Sequence, residues 1–189
     1  TLYDEQKRWP ELVDILRQEI DTTYEDEPRI SLMYRLGHTL ETQIGDIDDA
    51  VTQYTAILDM DPQHAESLGR LDQIYLAQQQ WEPLFDVYAR QAENAEADED
   101  KAQLYARQAN LASEFLERPE EAIDLWNQVL ELRGEDANAL MALEGLYQGQ
   151  QSWRELVDVC ERQVNLVEND VQREIQLYGK LGRVWGDYL

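Results

Sequence analysis

The side chains that could carry out catalysis are few and scattered. The only cysteine is Cys160, and the two histidines are His38 and His64. Neither histidine lies in a motif such as His-Glu-x-x-His, and Cys160 has no partner for a Cys-x-x-Cys site. No phosphate-binding glycine loop or serine nucleophile elbow is present either. We therefore expect a protein that is not an enzyme and has no metal site and no cofactor.

Acidic clusters could in principle supply general acids or hold a cation. Asp48-Asp49, Asp98-Glu99-Asp100 and Glu120-Glu121 are the clearest of them. Each stands where a helix is expected to start, and carboxylates there offset the helix dipole without any further role. The segments DEPRI and ADEDK also lack the spaced oxygen ligands and the turn glycine of a calcium loop. We interpret these clusters as helix-start residues.

Cys160 stands at an apolar position, and we expect a buried side chain there rather than a reactive thiol.

The charge of the chain limits its partners. Forty acidic residues against 16 basic ones give a formal net charge of −24. A nucleic-acid surface needs basic residues to displace counterions, and an anionic membrane attracts basic segments, so neither partner is expected. The acidic surface either keeps the protein soluble, or fits a basic partner or a salty habitat. No apolar run approaches the roughly 18 residues of a membrane span and no signal peptide is visible, which favours the cytoplasm.

A long internal repeat organises the chain. Trp9, Trp81 and Trp153 are spaced 72 residues apart, in the words RWPELVDIL, QWEPLFDVY and SWRELVDVC. The same spacing relates Tyr3, Tyr75 and Tyr147, and it pairs Ala50 with Ala122 and Leu68 with Leu140. Positions 72 residues apart are called equivalent below. The expected structural core includes Trp9, Trp81, Trp153, Tyr75, Tyr147, Ala50 and Ala122, with Trp81 buried where the two helices of a hairpin meet.

Each period predicts four helical segments. In PRISLMYRLGHTLETQI, for example, Ile30, Met33, Leu36 and Leu40 recur at three- and four-residue steps and form one apolar face. Gly45 then ends the segment. The connections are only a few residues long, so neighbouring helices are expected to be antiparallel. No alternating apolar pattern predicts a strand, and we expect an all-α protein.

Helix pairs of 34 to 37 residues resemble the tetratricopeptide repeat. Residues 65–97 carry Leu68, Leu71, Tyr75, Trp81 and Tyr88 at the family's large apolar positions, and residues 30–62 carry Leu36-Gly37, Ala50 and Asp61-Pro62. Residues 99–134 and 137–169 repeat these two variants. Ala109 replaces the glycine, and RGED replaces the Asp-Pro closure. The half-a-tetratricopeptide repeat is an alternative family.

The resemblance implies a right-handed superhelical α-solenoid of antiparallel helix hairpins. As one array, residues 1–189 would contain hairpins at about 28–62, 64–97, 99–134 and 135–169, with partial units at 1–24 and 170–189. Val184, Trp185 and Leu189 would then form an uncapped apolar face. We expect the chain to be part of a longer array, of a kind found in bacteria.

The resemblance also implies a peptide-binding concave groove lined by the first helix of each hairpin. The groove residues would be Tyr34, Arg35, His38, Arg70, Gln73, Arg107, Asn110 and Met141. Tyr34 and Gly69 stand where chaperone-binding members have a clamp lysine, so a heat-shock co-chaperone is not expected. Arg35, Arg70 and Arg107, with Lys180 later, could form a row that grips a carboxylate-bearing segment. The alternative is that they only bridge nearby acids such as Glu41.

The leading functional hypothesis is a non-enzymatic scaffold that binds a protein or peptide in this groove. Two alternatives remain. The array could be the regulatory or sensing arm of a larger multidomain enzyme or signalling protein, or it could associate with itself end to end through uncapped ends.

Overall fold

The computed structural model describes residues 8–167 and 170–189, and this part of the chain forms ten α-helices and no strand. The helices are α1 Trp9–Thr22, α2 Asp26–Thr39, α3 Ile47–Met60, α4 Ala65–Gln78, α5 Trp81–Asn94, α6 Asp98–Glu114, α7 Pro119–Arg133, α8 Ala137–Gly149, α9 Trp153–Leu166 and α10 Val171–Asp187. A π-helical segment, Leu40–Ile44, continues α2. Tyr3, expected to be the first of the equivalent tyrosines, lies outside the described residues.

The chain divides into two compact units, residues 1–91 and 92–189, and the division falls within α5. In the first unit α2 packs on α1 and α3, and α3 packs on α4. The apolar faces predicted from three- and four-residue spacing meet here, with Leu36, Ala50, Tyr54 and Leu71 at most 2% exposed. Burial of this apolar surface is the main stabilising contribution to the unit.

In the second unit each helix from α7 to α10 packs on the one before it in the chain. The α6–α7 contact is the most extensive, and small side chains lie in it: Ala102, Ala109 and Ala122 are all 0% exposed. A separate apolar cluster joins α9 to α10 through residues that include Leu156, Cys160, Leu177, Leu181 and Val184.

Two helix-ending turns of the backbone repeat with the same period as the sequence. Gly45 has a φ of 81° and its equivalent Glu117 a φ of 54°, while Gln79 and its equivalent Gln151 have φ values of 56° and 59°. Left-handed residues of this kind end helices. At Gly45 the amide donates to the Leu40 carbonyl at 2.8 Å and closes the π-helical segment. These two turns therefore repeat in the structure, whereas the turn at Gly134, with a φ of 77°, does not, because its equivalent is Pro62.

Two sequence expectations about burial need correction. Ala50 and Ala122 are fully enclosed and Tyr75 is buried, but Trp9, Trp81, Trp153 and Tyr147 remain partly exposed. The enclosed aromatics include Tyr54 and its equivalent Trp126, at 0% and 5% exposure, and also Tyr88 and Phe85 at 6% and 8%. Val184, expected on an uncapped face, is only 4% exposed because it packs in the α9–α10 cluster.

Candidate partner-binding face

The expected groove residues come from the first helix of each hairpin. In the first unit Tyr34, Arg35 and His38 lie on α2, and Arg70 and Gln73 lie on α4. In the second unit Arg107 and Asn110 lie on α6, and Met141 lies on α8. All three of these second-unit side chains are exposed, and Met141 is 55% exposed.

Tyr34 is the centre of an aromatic group in the first unit. Its ring stacks on His38 with the centroids 6.4 Å apart, and it meets Tyr54 at 5.7 Å and His64 at 5.6 Å in tilted arrangements. His64 stands at the start of α4, where its Nδ1 accepts a hydrogen bond from the Ser67 amide at 3.2 Å. Histidine thus caps α4 in place of the usual serine or aspartate.

Arg70 bridges α4 to the π-helical segment that continues α2. Its Nε donates to Glu41 Oε2 at 3.0 Å, its Nη2 lies 3.1 Å from His38 Nδ1, and its Nη1 donates to Gln73 at 3.4 Å. The same Glu41 oxygen accepts a bond of 2.8 Å from the Tyr54 hydroxyl. The guanidinium is therefore already engaged with an internal carboxylate, which is the bridging role given above as the alternative for the arginines.

Titration behaviour in this network follows from burial and hydrogen bonding. Burial, together with the hydrogen bond to Glu41, raises the pKa of the Tyr54 hydroxyl above its ordinary value. Burial by itself would lower the pKa of Arg70, but its hydrogen bonds and the charge of Glu41 raise it. Tyr54 therefore stays a neutral donor and Arg70 stays charged at physiological pH.

A pocket of about 660 Å³ opens beside Tyr34. It lies between the first turns of α2, the end of α3 and the start of α4. Its lining contains no basic residue apart from His64 and consists of Asp26, Glu27, Ile30, Ser31, Tyr34, Met60, Asp61, His64 and Glu66. His64 Nε2 is 3.7 Å from Glu66 Oε2, and within the described residues no lysine or arginine pairs with the four carboxylates. We call this the acidic pocket. The sequence pattern gives Asp26 and Glu27 a place at a helix start and Asp61 a place in the Asp-Pro closure, but it does not predict a pocket.

In the second unit a glutamate of α8 is almost completely buried. Glu144 is 6% exposed and accepts hydrogen bonds from Gln163 Nε2 at 2.8 Å, from Arg173 Nη2 at 3.0 Å and from Lys180 Nζ. Lys180 also donates to Gln148 at 2.9 Å. The expectation that Lys180 continues the arginine row is therefore wrong. Position 180 is equivalent to Gln108, which is 3% exposed, and not to a groove position.

Burial raises the pKa of Cys160 to about 11, so its thiol is protonated and unreactive at neutral pH.

The pKa of Glu144 is lowered despite its burial, because hydrogen bonds from Lys180 and Gln163 and the positive charges of Lys180 and Arg173 stabilise the carboxylate. This carboxylate ties α8, α9 and α10 together and is not available to a partner.

Comparison with solved structures identifies the fold. MamA designated AMB-1 is 19% identical over 93% of this chain and 91% of its own, with a TM-score of 0.51. Another MamA structure is 16% identical over 83% and 86%, and Pseudomonas aeruginosa PilF is 13% identical over 98% and 80%, each with a TM-score of 0.51. These are tetratricopeptide-repeat proteins. The fold is that of a tetratricopeptide-repeat array. No protein-family model matches the sequence, and no curated protein is significantly similar to it.

Helix α10, which corresponds to the first helix of a hairpin, exposes an apolar stripe. On α10, Val171, Ile175, Tyr178 and Trp185 are 65%, 66%, 56% and 58% exposed. Their spacing places them on one face of the helix, beside the buried face that contains Leu177, Leu181 and Val184. The equivalent positions on α2 and its π-helical continuation are those of Glu27, Ser31, Tyr34 and Glu41. The first three of these residues line the acidic pocket. We call the four exposed residues the α10 stripe.

The described residues contain neither a metal-ligand group nor a membrane-spanning helix. No group of three or more histidine, cysteine, aspartate or glutamate side chains in that part of the chain is arranged to hold a metal ion. None of the described helices is both long enough and apolar enough to cross a membrane.

Proposed function

We propose that this protein is a non-enzymatic scaffold that binds a protein or peptide segment on the exposed face of its first helices. The observation that carries the proposal is the α10 stripe. Large apolar side chains that remain more than half exposed in a row are unusual on a soluble surface and mark interaction sites. Here the row occupies the register of Ser31 and Tyr34, the positions that line a pocket in the first unit.

The position of the stripe on α10 favours a surface that binds a partner over a surface that a following helix would cover. In the second unit α6 is the internal equivalent of α10, and α7 covers it along Ala102 and Ala109. The α10 stripe is not equivalent to these covered positions. Its members Ile175 and Tyr178 correspond to Gln103 and Ala106, on another face of α6. A following helix packed as α7 packs on α6 would leave most of the stripe open.

Binding would proceed by burial of apolar side chains of the partner against Ile175, Tyr178 and Trp185. Aromatic side chains give large contact areas with little loss of conformational entropy, which suits them as anchors. The proposed role for the arginine row is weaker, because Arg70 is engaged by Glu41. Arg35 and Arg107 remain proposed contact residues.

Panning a random dodecapeptide phage library on the complete chain tests the proposal. Selected peptides would be synthesised and titrated calorimetrically against the wild type and the triple variant Ile175→Ser, Tyr178→Ser, Trp185→Ser. We expect at least about tenfold weaker binding to the variant, because removing two or three anchors costs more than 1.4 kcal/mol.

The matched control removes three exposed apolar side chains away from the stripe, as Tyr24→Ser, Ile44→Ser, Leu76→Ser. Peptides that bind this control and the stripe variant equally well would contradict the proposal. So would a mass that rises with concentration in sedimentation equilibrium and stays constant in the stripe variant, since the stripe would then bind a second copy of the chain.

A further inference from the structure

The repeat allows the acidic pocket to be compared with its own equivalent in the second unit. The equivalents of Glu27, Asp61 and His64 are Glu99, Arg133 and Asp136. His64 and Asp136 have the same local role: the His64 ring caps α4, and Asp136 Oδ1 caps α8 by accepting from the amides of Asn138 and Ala139 at 2.9 Å. The two places therefore share a capped helix start, but the preceding helices end differently. Asp61 follows the end of α3 with a φ of −133°, whereas Arg133 is the last residue of α7 and is followed by Gly134 with a φ of 77°.

In the second unit a guanidinium lies between the equivalents of Glu27 and His64. Arg133 Nη2 and Nε donate to the two carboxylate oxygens of Glu99 at 2.5 and 2.9 Å, and Nη1 donates to Asp136 Oδ2 at 3.4 Å. This is the two-pronged geometry that arginine and carboxylate favour. The hydrogen bond from Arg133, with a second from Gln103, lowers the pKa of Glu99.

The first unit keeps the carboxylates and lacks the cation. The residue equivalent to Arg133 is Asp61, so a negatively charged carboxylate stands in the first unit where the second unit has a guanidinium. Glu27 remains where Glu99 stands, and Asp26 and Glu66 also line the pocket. A volume of about 660 Å³ lies within the range of about 300–1,000 Å³ that is usual for ligand pockets.

We propose that the acidic pocket of the first unit binds the guanidinium of an arginine side chain supplied by a protein or peptide partner, at the place that Arg133 occupies in the second unit. The inference goes beyond the proposed function, since an arginine site in the first unit can exist whether or not the α10 stripe binds anything.

Two features of the lining favour arginine over other cations. The Tyr34 ring, which Ala106 replaces in the second unit, offers a flat face on which a guanidinium can stack. The carboxylates are spread around a pocket of about 660 Å³, which leaves room for a planar cation with several donors. The net charge of −24 would also attract a basic segment.

The probe is the peptide acetyl-Ala-Arg-Ala-amide, with matched peptides that contain lysine or citrulline in place of arginine. Each is titrated into the ¹⁵N-labelled complete chain, followed by amide chemical shifts. We expect the arginine peptide to shift the signals of Glu27, Tyr34 and Glu66. The lysine peptide should bind about tenfold more weakly because it loses the paired hydrogen bonds, and the uncharged citrulline peptide should have no effect.

Two variants test the site itself. Asp61→Arg gives the first unit the arginine that the second unit has at the equivalent position. The new guanidinium should fill the pocket and weaken peptide binding at least about tenfold. Glu27→Gln removes the carboxylate equivalent to Glu99 without adding bulk and should weaken binding by a similar factor. The control Asp59→Arg makes the same charge change at an exposed position of α3 outside the lining and should retain binding within about threefold.

The reciprocal variant Arg133→Asp should create new arginine-dependent shifts at Glu99 in the second unit. The proposal is overturned if the arginine peptide leaves the pocket signals unchanged at 10 mM, a concentration about tenfold above a millimolar Kd. It is equally overturned if citrulline produces the same shifts, or if Asp59→Arg weakens binding as much as Asp61→Arg does in a chain with unchanged thermal unfolding.

Discussion

Arg70 on α4 and Glu41 in the π-helical segment after α2 form an ion pair with Nε and Oε2 3.0 Å apart, at side-chain exposures of only 24% and 15%. The same carboxylate oxygen accepts the hydroxyl of the fully buried Tyr54. One oxygen thus joins three helical segments of the first unit. An arginine that stood in the sequence as a candidate for partner binding is part of the structure that holds α2, α3 and α4 together.

Replacing Arg70 with glutamine should therefore reduce stability. The change leaves Glu41 without its cation, and we expect a loss of about 1.5–3 kcal/mol in the free energy of unfolding by urea, the usual range for a hydrogen bond to a charged group. Arg17→Gln is the control, because Arg17 pairs with Asp49 at 52% exposure and should cost less than about 1 kcal/mol. Equal losses in the two variants would show that the Arg70 pair contributes no more than a surface pair.

Gly37 on α2 is required by the ring of Tyr54. A Cβ at this position would lie 2.9 Å from Tyr54 Cε1, and the ring cannot easily move because its hydroxyl is bound to Glu41. We expect Gly37→Ala to cost about 1–3 kcal/mol in urea unfolding, as overpacking does. Gly69→Ala, with nothing within 4 Å of the added carbon, should instead stabilise the chain by about 0.5–1 kcal/mol. The opposite signs of the two changes are the test.

The left-handed turns give a second matched pair. Gln151 has a φ of 59°, while its neighbour Gln150 has a φ of −84°. Gln151→Gly should raise the midpoint of thermal unfolding, since it relieves strain of about 1 kcal/mol. Gln150→Gly should lower it, because glycine there only adds freedom to the unfolded chain. A fall in both midpoints would mean that Gln151 is not strained.

The helices and the period could be predicted from the sequence because both rest on local patterns: apolar spacing, short connections and helix-ending residues such as Gly45. The depth to which each side chain is buried could not be predicted in this way. Periodicity places Trp81 on an inward face, but it stands in the first turn of α5 and remains partly open. The hydrogen-bond donors to Glu144 could not be predicted either, since Arg173 and Lys180 are 29 and 36 residues away in the chain. The replacement of Asp-Pro by RGED was visible, but only the contacts of Arg133 give it a meaning.

The partial exposure of Trp81 changes the expected cost of removing it. A fully enclosed aromatic would cost about 3–5 kcal/mol on truncation to alanine. We expect Trp81→Ala to cost less than about 3 kcal/mol, and less than Leu84→Ala in the same helix, because Leu84 is 0% exposed and truncation of an enclosed leucine costs about 2–5 kcal/mol. Urea unfolding of the two variants side by side gives the order, and a larger loss for Trp81→Ala would mean that its exposed part also contributes to stability.

Glu144 should make stability depend on pH in the acid range. Its pKa in the folded chain lies below the ordinary value of 4.5, with burial opposing the shift and the bonds from Lys180 and Gln163 producing it. A carboxyl group with a depressed folded pKa contributes stability that is present above its unfolded pKa. That contribution is lost as the pH falls from about 4.5 through the folded pKa.

The variant Glu144→Gln isolates this contribution from that of the other acids. At pH 7 we expect a loss of about 2–3 kcal/mol, below the usual cost of breaking a fully buried pair because Lys180 and Arg173 are 28% and 33% exposed and regain water. The gap between wild type and variant should narrow as the pH falls below about 4.5, because protonation removes the same charge from the wild type. Glu131→Gln, at an exposed position of α7, should differ from wild type by no more than about 0.5 kcal/mol at any pH. A gap for Glu144→Gln that stays constant down to pH 3 would show that the amide loses shape complementarity rather than charge, since only a charge effect can disappear on protonation.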